Sequence, residues 1–395
     1  MKKHLLIIAV LILNSLSVQA FDPADSTKVA APATKVKDFI IYQDQTYYAT
    51  FPSVVKKSNG EYLVAFRRAP DRIVNFKEKG NSHVDPNSYL VGVTSKDGVN
   101  WTKEPELIYS HAFGGSQDPC LLQLKDGTLL CASYGWAFLE DDGLENIRKP
   151  HFANSKGTVF LGGYLVKSLD GGDTWKGPIY PPSIEPEVNY TPMGNKVPAY
   201  NRGALYEGKS GRIFWVVAAS DTEKRGKTSN YLLVSDDKGN TWEHLSTVAV
   251  DDEVIFNEAS AYETPKGDII AFIRTAKFDD QAVIARSKDG GKTFEKWESM
   301  GFQGHPLQAL RLPDDRVFLV YGYRHKPYGI RARILNPECT DFATAEEIII
   351  REDGGSTDIG YPWAVNMGED KVLVTYYFNI DNKNRHIAGT ILKIN

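Results

Sequence analysis

One hairpin pattern occurs six times along this chain and sets the strongest limit on what it can fold into. Each copy has an apolar strand of alternating character, a tight turn and a second apolar strand. The six turns fall at Asn59-Gly60, Asp126-Gly127, Ser210-Gly211, Lys266-Gly267, Asp314-Asp315 and Glu369-Asp370. Gly or Asp at these places supplies the positive φ that two-residue hairpin turns require. The repetition predicts a fold assembled from similar antiparallel units.

A second motif, S-x-D-x-G-x-T-W/F, alternates with the hairpins. Its copies are residues 168–175, 235–242 and 287–294, with a shorter version at 95–101 and a degenerate one at 335–342. In such a motif, here called an Asp box, the Asp accepts backbone N–H groups across a turn while the Gly adopts the left-handed conformation. We therefore assign the box carboxylates a structural role.

A hairpin, a connection and a boxed hairpin together make a four-stranded sheet. Six such sheets in sequence predict an all-β, six-bladed β-propeller with Asp-box hairpins, because radial repetition protects the sheet edges. We expect the last strand, residues 386–395, to complete a blade with residues 37–42. The chain lacks any long segment with the 3.6-residue helical period, which excludes a helical solenoid. Segments 137–158 and 179–200 interrupt the rhythm and are predicted to be loops.

The N-terminus has the pattern of an export signal. Basic residues at 2–4 precede the apolar run 5–13, and the segment ends in Val18-Gln19-Ala20. Nine apolar residues are too few to span a bilayer as a helix. We predict that residues 1–20 are a removed signal peptide, that 21–395 form one propeller domain, and that the mature protein is periplasmic or extracellular.

Charge and cysteine content narrow the function classes. The formal net charge is −4, so there is no basic excess for binding nucleic acid. No cofactor motif is recognised, and no spacing of His or Cys predicts a metal site. Three cysteines exclude a fully paired disulfide framework; whether Cys120 and Cys131 pair is left open.

Alignment of the six hairpins on their turns brings polar residues to equivalent places. Nine positions before the second turn residue stand Phe51, Asp118, Arg202, Glu258, Pro306 and Tyr361. The innermost strands of a propeller begin around its central channel, so these six residues are predicted to form a ring. Burying such polar groups is costly unless they satisfy one another or a ligand. The ring is therefore either a binding site or a polar network that fills the channel.

A second set lies seven positions after the turn. Its members are Arg67, Tyr134, Ala218, Arg274, Gly322 and Tyr377, and Arg324 follows two residues after Gly322. Several guanidinium groups are thus expected at the same mouth of the channel. Arg68 has the opposite strand parity and is expected to point away from it.

The Asp boxes, the six hairpins, and Asn257-Glu258 followed sixteen residues later by Arg274 resemble the sialidase superfamily, including bacterial exo-sialidases. The resemblance implies that Tyr361 is the nucleophile and that Glu258 takes its proton. It also implies that Asp85 is the acid/base residue. His83 is the rival for that role, because imidazoles titrate near neutral pH.

The resemblance further implies three arginines that hold a substrate carboxylate, since the guanidinium fork matches that group. Arg274 matches the second of them, and Arg324 matches the third, with Arg331 as the alternative. The family's first arginine, in an R-I-P motif, is replaced here by the segment 50–52, Thr-Phe-Pro. We hypothesise that Arg67 substitutes for it. The remaining predicted substrate-binding residues are Asp118, Arg202 and His83.

These residues predict a retaining exo-glycoside hydrolase that releases sialic acid or a related 2-ulosonic acid from glycans. The missing R-I-P arginine favours an alternative, a hydrolase or lyase acting on another acidic sugar such as a uronic acid. A third alternative is a glycan-binding propeller without catalysis, and the Tyr361/Glu258 pair argues against it.

Overall fold

The alternating apolar segments fold as antiparallel strands that bury their faces against neighbouring sheets. The computed structural model describes residues 31–78, 83–153, 157–222 and 226–395. These residues form six antiparallel sheets, which confirms the predicted six-bladed propeller. The predicted signal peptide lies outside the described residues.

The strands follow one another blade by blade. Strand β1 (Ala33–Tyr42) precedes blade 1, which contains β2 (Tyr47–Lys56), β3 (Tyr62–Pro70), β4 (Tyr89–Ser95) and β5 (Glu106–Tyr109). Blade 2 contains β6 (Gly115–Ser116), β7 (Cys120–Gln123), β8 (Leu129–Phe138), β9 (Thr158–Ser168) and β10 (Lys176–Ile179). Blade 3 contains β11 (Tyr206–Glu207), β12 (Ile213–Ala219), β13 (Ser229–Ser235) and β14 (Glu243–Ala249).

The second half of the chain continues the pattern. Blade 4 contains β15 (Ile255–Glu263), β16 (Ile269–Ala276), β17 (Gln281–Ser287) and β18 (Glu298–Gln303). Blade 5 contains β19 (Leu307–Arg311), β20 (Val317–Tyr323), β21 (Gly329–Leu335) and β22 (Glu347–Arg351). Blade 6 contains β23 (Gly360–Gly368), β24 (Lys371–Phe378), β25 (His386–Ile394) and, at its outer edge, β1.

Both ends of the described chain meet in blade 6. Strand β1 pairs antiparallel with β25, with Ile40 opposite Ala388 and Ala33 opposite Ile394. This pairing confirms the expectation that the last strand completes a blade with the chain start. It closes the ring, because the first and last segments share backbone hydrogen bonds within one sheet.

The predicted turns join the two inner strands of each blade. The turn glycines of the first three hairpins, Gly60, Gly127 and Gly211, have φ of 86°, 91° and 86°. In the hairpins of blades 5 and 6 the corresponding residues are Asp315 and Asp370, with φ of 67° and 57°. The left-handed conformation therefore explains why Gly or Asp recurs at these places.

The Asp boxes stabilise turns. Asp237 accepts hydrogen bonds from the backbone N–H and the hydroxyl of Thr241, at 2.9 and 2.7 Å. The box Trp242 packs against Trp215 in the core, with ring centroids 5.4 Å apart. The boxes of blades 2 and 4 repeat the carboxylate-to-threonine bonds. The box carboxylates therefore accept hydrogen bonds within their own turns, which agrees with the structural role predicted for them.

All three cysteines are buried and free. Cys120 lies opposite Ala132, and Cys131 lies opposite Leu121, on neighbouring strands. Because side chains alternate along a strand, Cys120 and Cys131 point to opposite faces of the sheet and cannot form a disulfide.

Two short helices interrupt the strands, and one of them lies in the predicted loop 137–158. Helix α1 (Arg72–Phe76) lies between β3 and β4, and α2 (Asp141–Asn146) lies in the insertion between β8 and β9. The insertion at 179–200 is irregular apart from isolated bridges, such as Tyr190 with Lys196. Neither helix, nor any other in the described ranges, is long and apolar enough to cross a membrane.

Candidate active site

The inner strands are interrupted where the ring residues stand. The register of β2 shifts between Thr50 and Ser53, that of β15 between Phe256 and Ala259, and that of β23 between Gly360 and Trp363. These shifts bracket the ring residues Phe51, Glu258 and Tyr361. Phe51 and Tyr361 adopt φ of 57° and 53°, and their rings lie 4.8 Å apart. A bulge redirects a side chain, and strained backbone of this kind concentrates at functional sites.

Tyr361, Glu258 and Arg274 form one contact group. The Tyr361 hydroxyl donates a short hydrogen bond to Glu258 Oε1. Arg274 Nη1 donates to Glu258 Oε2 at 2.6 Å and to the Tyr361 hydroxyl at 3.3 Å. The hydrogen bond expected between the tyrosine and the carboxylate is therefore present. The Arg274 guanidinium contacts both the phenol oxygen of Tyr361 and the carboxylate of Glu258.

The charges in this group favour a neutral phenol beside an ionised carboxylate. Burial alone would raise the pKa of Glu258, but Arg274 and the hydrogen bond from Tyr361 outweigh it and hold that pKa below its usual value. Burial, and next the Glu258 charge, raise the pKa of Tyr361 far above that of a free phenol. In the resting protein the proton therefore belongs to Tyr361, and it has an acceptor already in contact.

Arg324 lies on the other side of the tyrosine. Its guanidinium carbon is 5.1 Å from the centre of the Tyr361 ring. Arg324 Nε donates to the Ile359 carbonyl at 3.0 Å, and Nη2 donates to the Tyr377 hydroxyl at 3.0 Å. The alternative, Arg331, instead donates to backbone carbonyls around its own strand, including that of Pro327. Of these two candidates, Arg324 and Arg331, it is Arg324 that lies beside Tyr361.

Arg67 is fully buried, and none of its three guanidinium nitrogens has a hydrogen-bond partner among the described residues. The guanidinium carbon lies 5.8 Å from the Tyr48 ring centre and 5.9 Å from that of Phe51, which itself contacts Tyr361. Burial lowers the pKa of Arg67, against the opposing influence of Tyr48, Asp85 and nearby acids. A buried, unpaired cation is costly, so this group is set up to receive an anion.

Arg68 has a different environment from its neighbour. It donates to Asp44 at 3.3 Å and to the Tyr89 hydroxyl at 3.3 Å, and it stacks 3.5 Å above the Tyr47 ring. The two adjacent arginines therefore serve different surroundings, as their strand parity predicts.

Asp118 is a buried acid of this site. Its Oδ2 accepts a hydrogen bond from the Tyr134 hydroxyl at 3.1 Å, whereas Oδ1 has no partner among the described residues. Burial raises the pKa of Asp118 to about 6; Arg202 opposes the rise and Glu258 adds to it. Asp118 can therefore hold a proton close to neutral pH.

Arg202 lies beneath the tyrosine and contacts backbone. Its Nη2 donates to the carbonyls of Pro52 and Tyr361, at 3.0 and 3.4 Å. Its guanidinium carbon stands 5.1 Å from the Tyr361 ring and 4.9 Å from the Trp363 ring. These contacts stabilise the strained backbone that aims Tyr361, which is a supporting function.

Asp85 and His83 occupy different positions although two residues apart. The Asp85 side chain is buried, and its two oxygens accept hydrogen bonds from Arg72 Nε and the Asn87 N–H. His83 instead keeps 41% of its side chain exposed. Its ring meets that of Phe51 edge-on, with centroids 5.1 Å apart.

Two residues that complete this region, Tyr48 and Asp358, were not among those predicted from the sequence. Asp358 accepts hydrogen bonds from the hydroxyls of Tyr48 and Tyr377, at 2.6 and 3.0 Å. Asp358 and Tyr48 each stand three residues before a ring position, Tyr361 and Phe51. Extending the hairpin alignment by three residues would have revealed both. Within the described ranges, no cluster of three or more His, Cys, Asp or Glu side chains could hold a metal ion.

Comparisons with known proteins agree with this architecture. The BNR repeat-like domain model matches residues 149–374, whereas no curated protein matches the chain. A crystal structure of a protein of unknown function from Dyadobacter fermentans is 68% identical, with a TM-score of 0.90, covering 92% of this chain and 100% of that one.

More distant structures share the fold. The NanB sialidase from Streptococcus pneumoniae is 15% identical with a TM-score of 0.60, covering 92% of this chain and 71% of that one. The α-L-arabinanase of Penicillium chrysogenum, complexed with arabinobiose, is 14% identical with a TM-score of 0.61, covering 91% and 98%. One architecture thus carries different glycosidase activities. The chain therefore belongs to the BNR repeat-like domain family and has the sialidase-like propeller fold.

Proposed function

We propose that this chain is a retaining exo-glycoside hydrolase that releases a terminal acidic sugar, sialic acid or a related 2-ulosonic acid, from glycans. The observation that carries the proposal is the hydrogen bond from Tyr361 to Glu258, with Arg274 in contact with both. A phenol held against a carboxylate is a nucleophile with its base in place. A tyrosine nucleophile is the exception by which sialidases differ from most glycosidases.

In the first step, the Tyr361 oxygen bonds to the anomeric carbon while its proton passes to Glu258. The bond from that carbon to the aglycone oxygen breaks, and an acid protonates the departing oxygen. In the second step, water attacks the glycosyl-tyrosine and gives a proton to the conjugate base of that acid, while the bond to the Tyr361 oxygen breaks and Glu258 returns the proton to Tyr361. Two displacements at one carbon retain its configuration.

The charge of the substrate explains the choice of nucleophile. The anomeric carbon of a 2-ulosonic acid carries a carboxylate, which would repel a carboxylate nucleophile. A phenol that is neutral until it reacts avoids this repulsion. Glu258 acts only as the base and does not itself bond to the anomeric carbon. The Arg274 guanidinium offsets its charge.

Three arginines are available for the substrate carboxylate. Arg274 and Arg324 flank Tyr361, and Arg67, which has no hydrogen-bond partner among the described residues, lies beyond Phe51. We propose that Arg67 supplies the contact that the family's R-I-P arginine makes, since Thr50 stands at that place here. Each charge-assisted hydrogen bond would contribute about 1.5–3 kcal/mol to binding.

A covalent trap tests the nucleophile directly. Incubation with a 2,3-difluorinated sialic acid should add one sugar to the protein, and peptide mass spectrometry should locate it on Tyr361. Tyr361→Phe should not be labelled and should lose at least about 10²-fold in kcat on an aryl α-sialoside. Tyr262→Phe is the matched control, because that buried hydroxyl contacts Arg311 instead of the pocket. Near-normal turnover by Tyr361→Phe would exclude the mechanism.

The replacement of the R-I-P arginine supports one alternative, an enzyme acting on a uronic acid. A panel of aryl glycosides of sialic acid, other 2-ulosonic acids and uronic acids separates the two. Release of an unsaturated sugar would indicate a lyase. We also propose that residues 21–395 are the exported, mature enzyme, which N-terminal sequencing of the secreted protein would test.

A further inference from the structure

The proposed reaction needs a residue that donates a proton to the aglycone oxygen and later accepts one from water. Asp85, the residue that the sialidase resemblance suggests, is poorly placed for this work. Its side chain is fully buried, Oδ2 is paired with Arg72 Nε, and Oδ1 accepts the Asn87 N–H at 2.8 Å. Arg72 also contacts Glu78, at 3.2 Å. Asp85 therefore anchors helix α1 to the following turn.

His83 is accessible and lies close to the nucleophile. Its side chain is 41% exposed, in contrast to that of Asp85. The Phe51 ring stands between His83 and Tyr361, with centroid distances of 5.1 and 4.8 Å. The imidazole and the phenol thus pack against the same aromatic ring, which places His83 one side chain away from Tyr361.

The Asp358 carboxylate lies beside Nδ1 of the His83 imidazole. Its Oδ1 is 3.6 Å from His83 Nδ1, and Tyr48 Oη lies 3.5 Å from the same nitrogen. Asp358 also accepts from Tyr48 Oη at 2.6 Å and Arg385 Nε at 2.9 Å. Burial would raise the pKa of Asp358, but the bonds from His83 and Tyr48 outweigh it and hold that pKa well below its usual value. An anion beside Nδ1 favours the tautomer with its proton on Nδ1, which leaves Nε2 as the ring nitrogen available for proton transfer.

Resting on the function proposed above, we propose that His83 is the proton-transferring residue of this pocket in place of Asp85, with Asp358 as its positioning residue. In the first step the His83 Nε2 proton passes to the aglycone oxygen as its bond to the anomeric carbon breaks. In the second step neutral Nε2 takes a proton from the attacking water. His83 is then protonated again, and the products are the sugar and the free alcohol.

Leaving-group dependence tests the catalytic role. His83→Ala should reduce kcat/KM on an alkyl glycoside by about 10²- to 10⁴-fold. With a dinitrophenyl glycoside, whose departing oxygen needs no proton, the formation of the glycosyl-enzyme should slow less than about tenfold. Azide should restore turnover by forming a glycosyl azide. His244→Ala, an exposed histidine on β14, is the matched control.

Asp85→Asn and Asp118→Asn decide between the rival acids. If either shows the leaving-group dependence and the azide rescue while His83→Ala does not, the proposal is overturned. The wild-type enzyme's turnover of the dinitrophenyl glycoside serves as the separate test of the proposed function. If no acidic-sugar glycoside is turned over, the proposed function fails, and the next measurement still tests the dyad.

Nitrogen NMR of histidine-labelled protein tests the positioning by Asp358 without any substrate. The neutral His83 ring should carry its proton on Nδ1, and Asp358→Asn should remove that preference without unfolding the blade. Should Asp358→Asn not fold, Tyr48→Phe removes the second group at Nδ1 and should shift the same signals. Unchanged His83 signals in the folded variants, or a wild-type ring with its proton on Nε2, would contradict the proposal.

Discussion

Replacing the buried guanidinium of Arg67 by an uncharged side chain of similar length, Arg67→Met, should raise the stability of the ligand-free protein. The guanidinium makes no hydrogen bond with the described residues, although it is fully buried against the rings of Tyr48 and Phe51. Methionine keeps the packing against both rings and removes the cost of the unpaired charge.

The size of this effect follows from the unpaired atoms. An unsatisfied buried donor costs about 1–3 kcal/mol, and three nitrogens are affected. The nearest anions keep other partners, since Asp85 is paired with Arg72 and Asp118 accepts from Tyr134. A net gain of about 1–3 kcal/mol is expected, which raises Tm by about 1–4 °C in a protein of this size.

The same substitution should weaken the binding of a carboxylate. Loss of the contact that Arg67 would make costs about 1.5–3 kcal/mol, so Kd for the free acidic sugar should increase by about 10- to 100-fold. Calorimetric titration with N-acetylneuraminic acid and with a uronic acid measures this, alongside thermal melts without ligand. Arg68→Met is the matched control, because its partners Asp44 and Tyr89 lie outside the pocket.

Two results would refute the reasoning. One is an Arg67→Met variant that loses as much stability as Arg68→Met, because the guanidinium would then be satisfied in the folded protein. The other is an unchanged affinity for every acidic sugar that the wild type binds. The pocket would then recognise its ligand without a carboxylate contact at Arg67.

Two further predictions separate the site from the scaffold. Because burial raises the pKa of Asp118 to about 6, the stability that its neutral form contributes is present below pH 4 and is lost as the pH rises towards 6. In melts from pH 4 to 8, the free energy of unfolding of Asp118→Asn should therefore rise relative to that of the wild type by up to about 3 kcal/mol, and the difference should level off above pH 7. A difference that does not change with pH would contradict a buried Asp118 with a raised pKa. Trp242→Ala removes an Asp-box aromatic that packs on Trp215, so it should lower the free energy of unfolding in urea by about 3–5 kcal/mol. At a temperature at which the variant is folded, kcat/KM should be unchanged. A loss of activity in the folded variant would assign the Asp box a role in the site.

The agreement between sequence and structure is strongest where the information is local. A two-residue turn requires positive φ, so a Gly or Asp such as Gly60 or Asp315 identifies a hairpin from the sequence alone. Since the blades repeat, equal offsets from the turns correspond to equal places around the channel. That equivalence predicted that Glu258, Arg274 and Tyr361 lie at one mouth of the channel. In the structure, hydrogen bonds connect all three.

Contacts between blades and loops could be seen only in the tertiary structure. Whether Asp85 faces the pocket or Arg72 depends on how the segment after β3 turns through helix α1, which no repeat offset describes. The pairing of His83 with Asp358 joins residues 275 positions apart in blades 1 and 6. Backbone periodicity determines which face of a strand a residue occupies, but loop conformation and ring closure decide which charges meet. The sequence by itself therefore determined the propeller and the pairing of Tyr361 with Glu258, and only the folded chain decided which residues surround them.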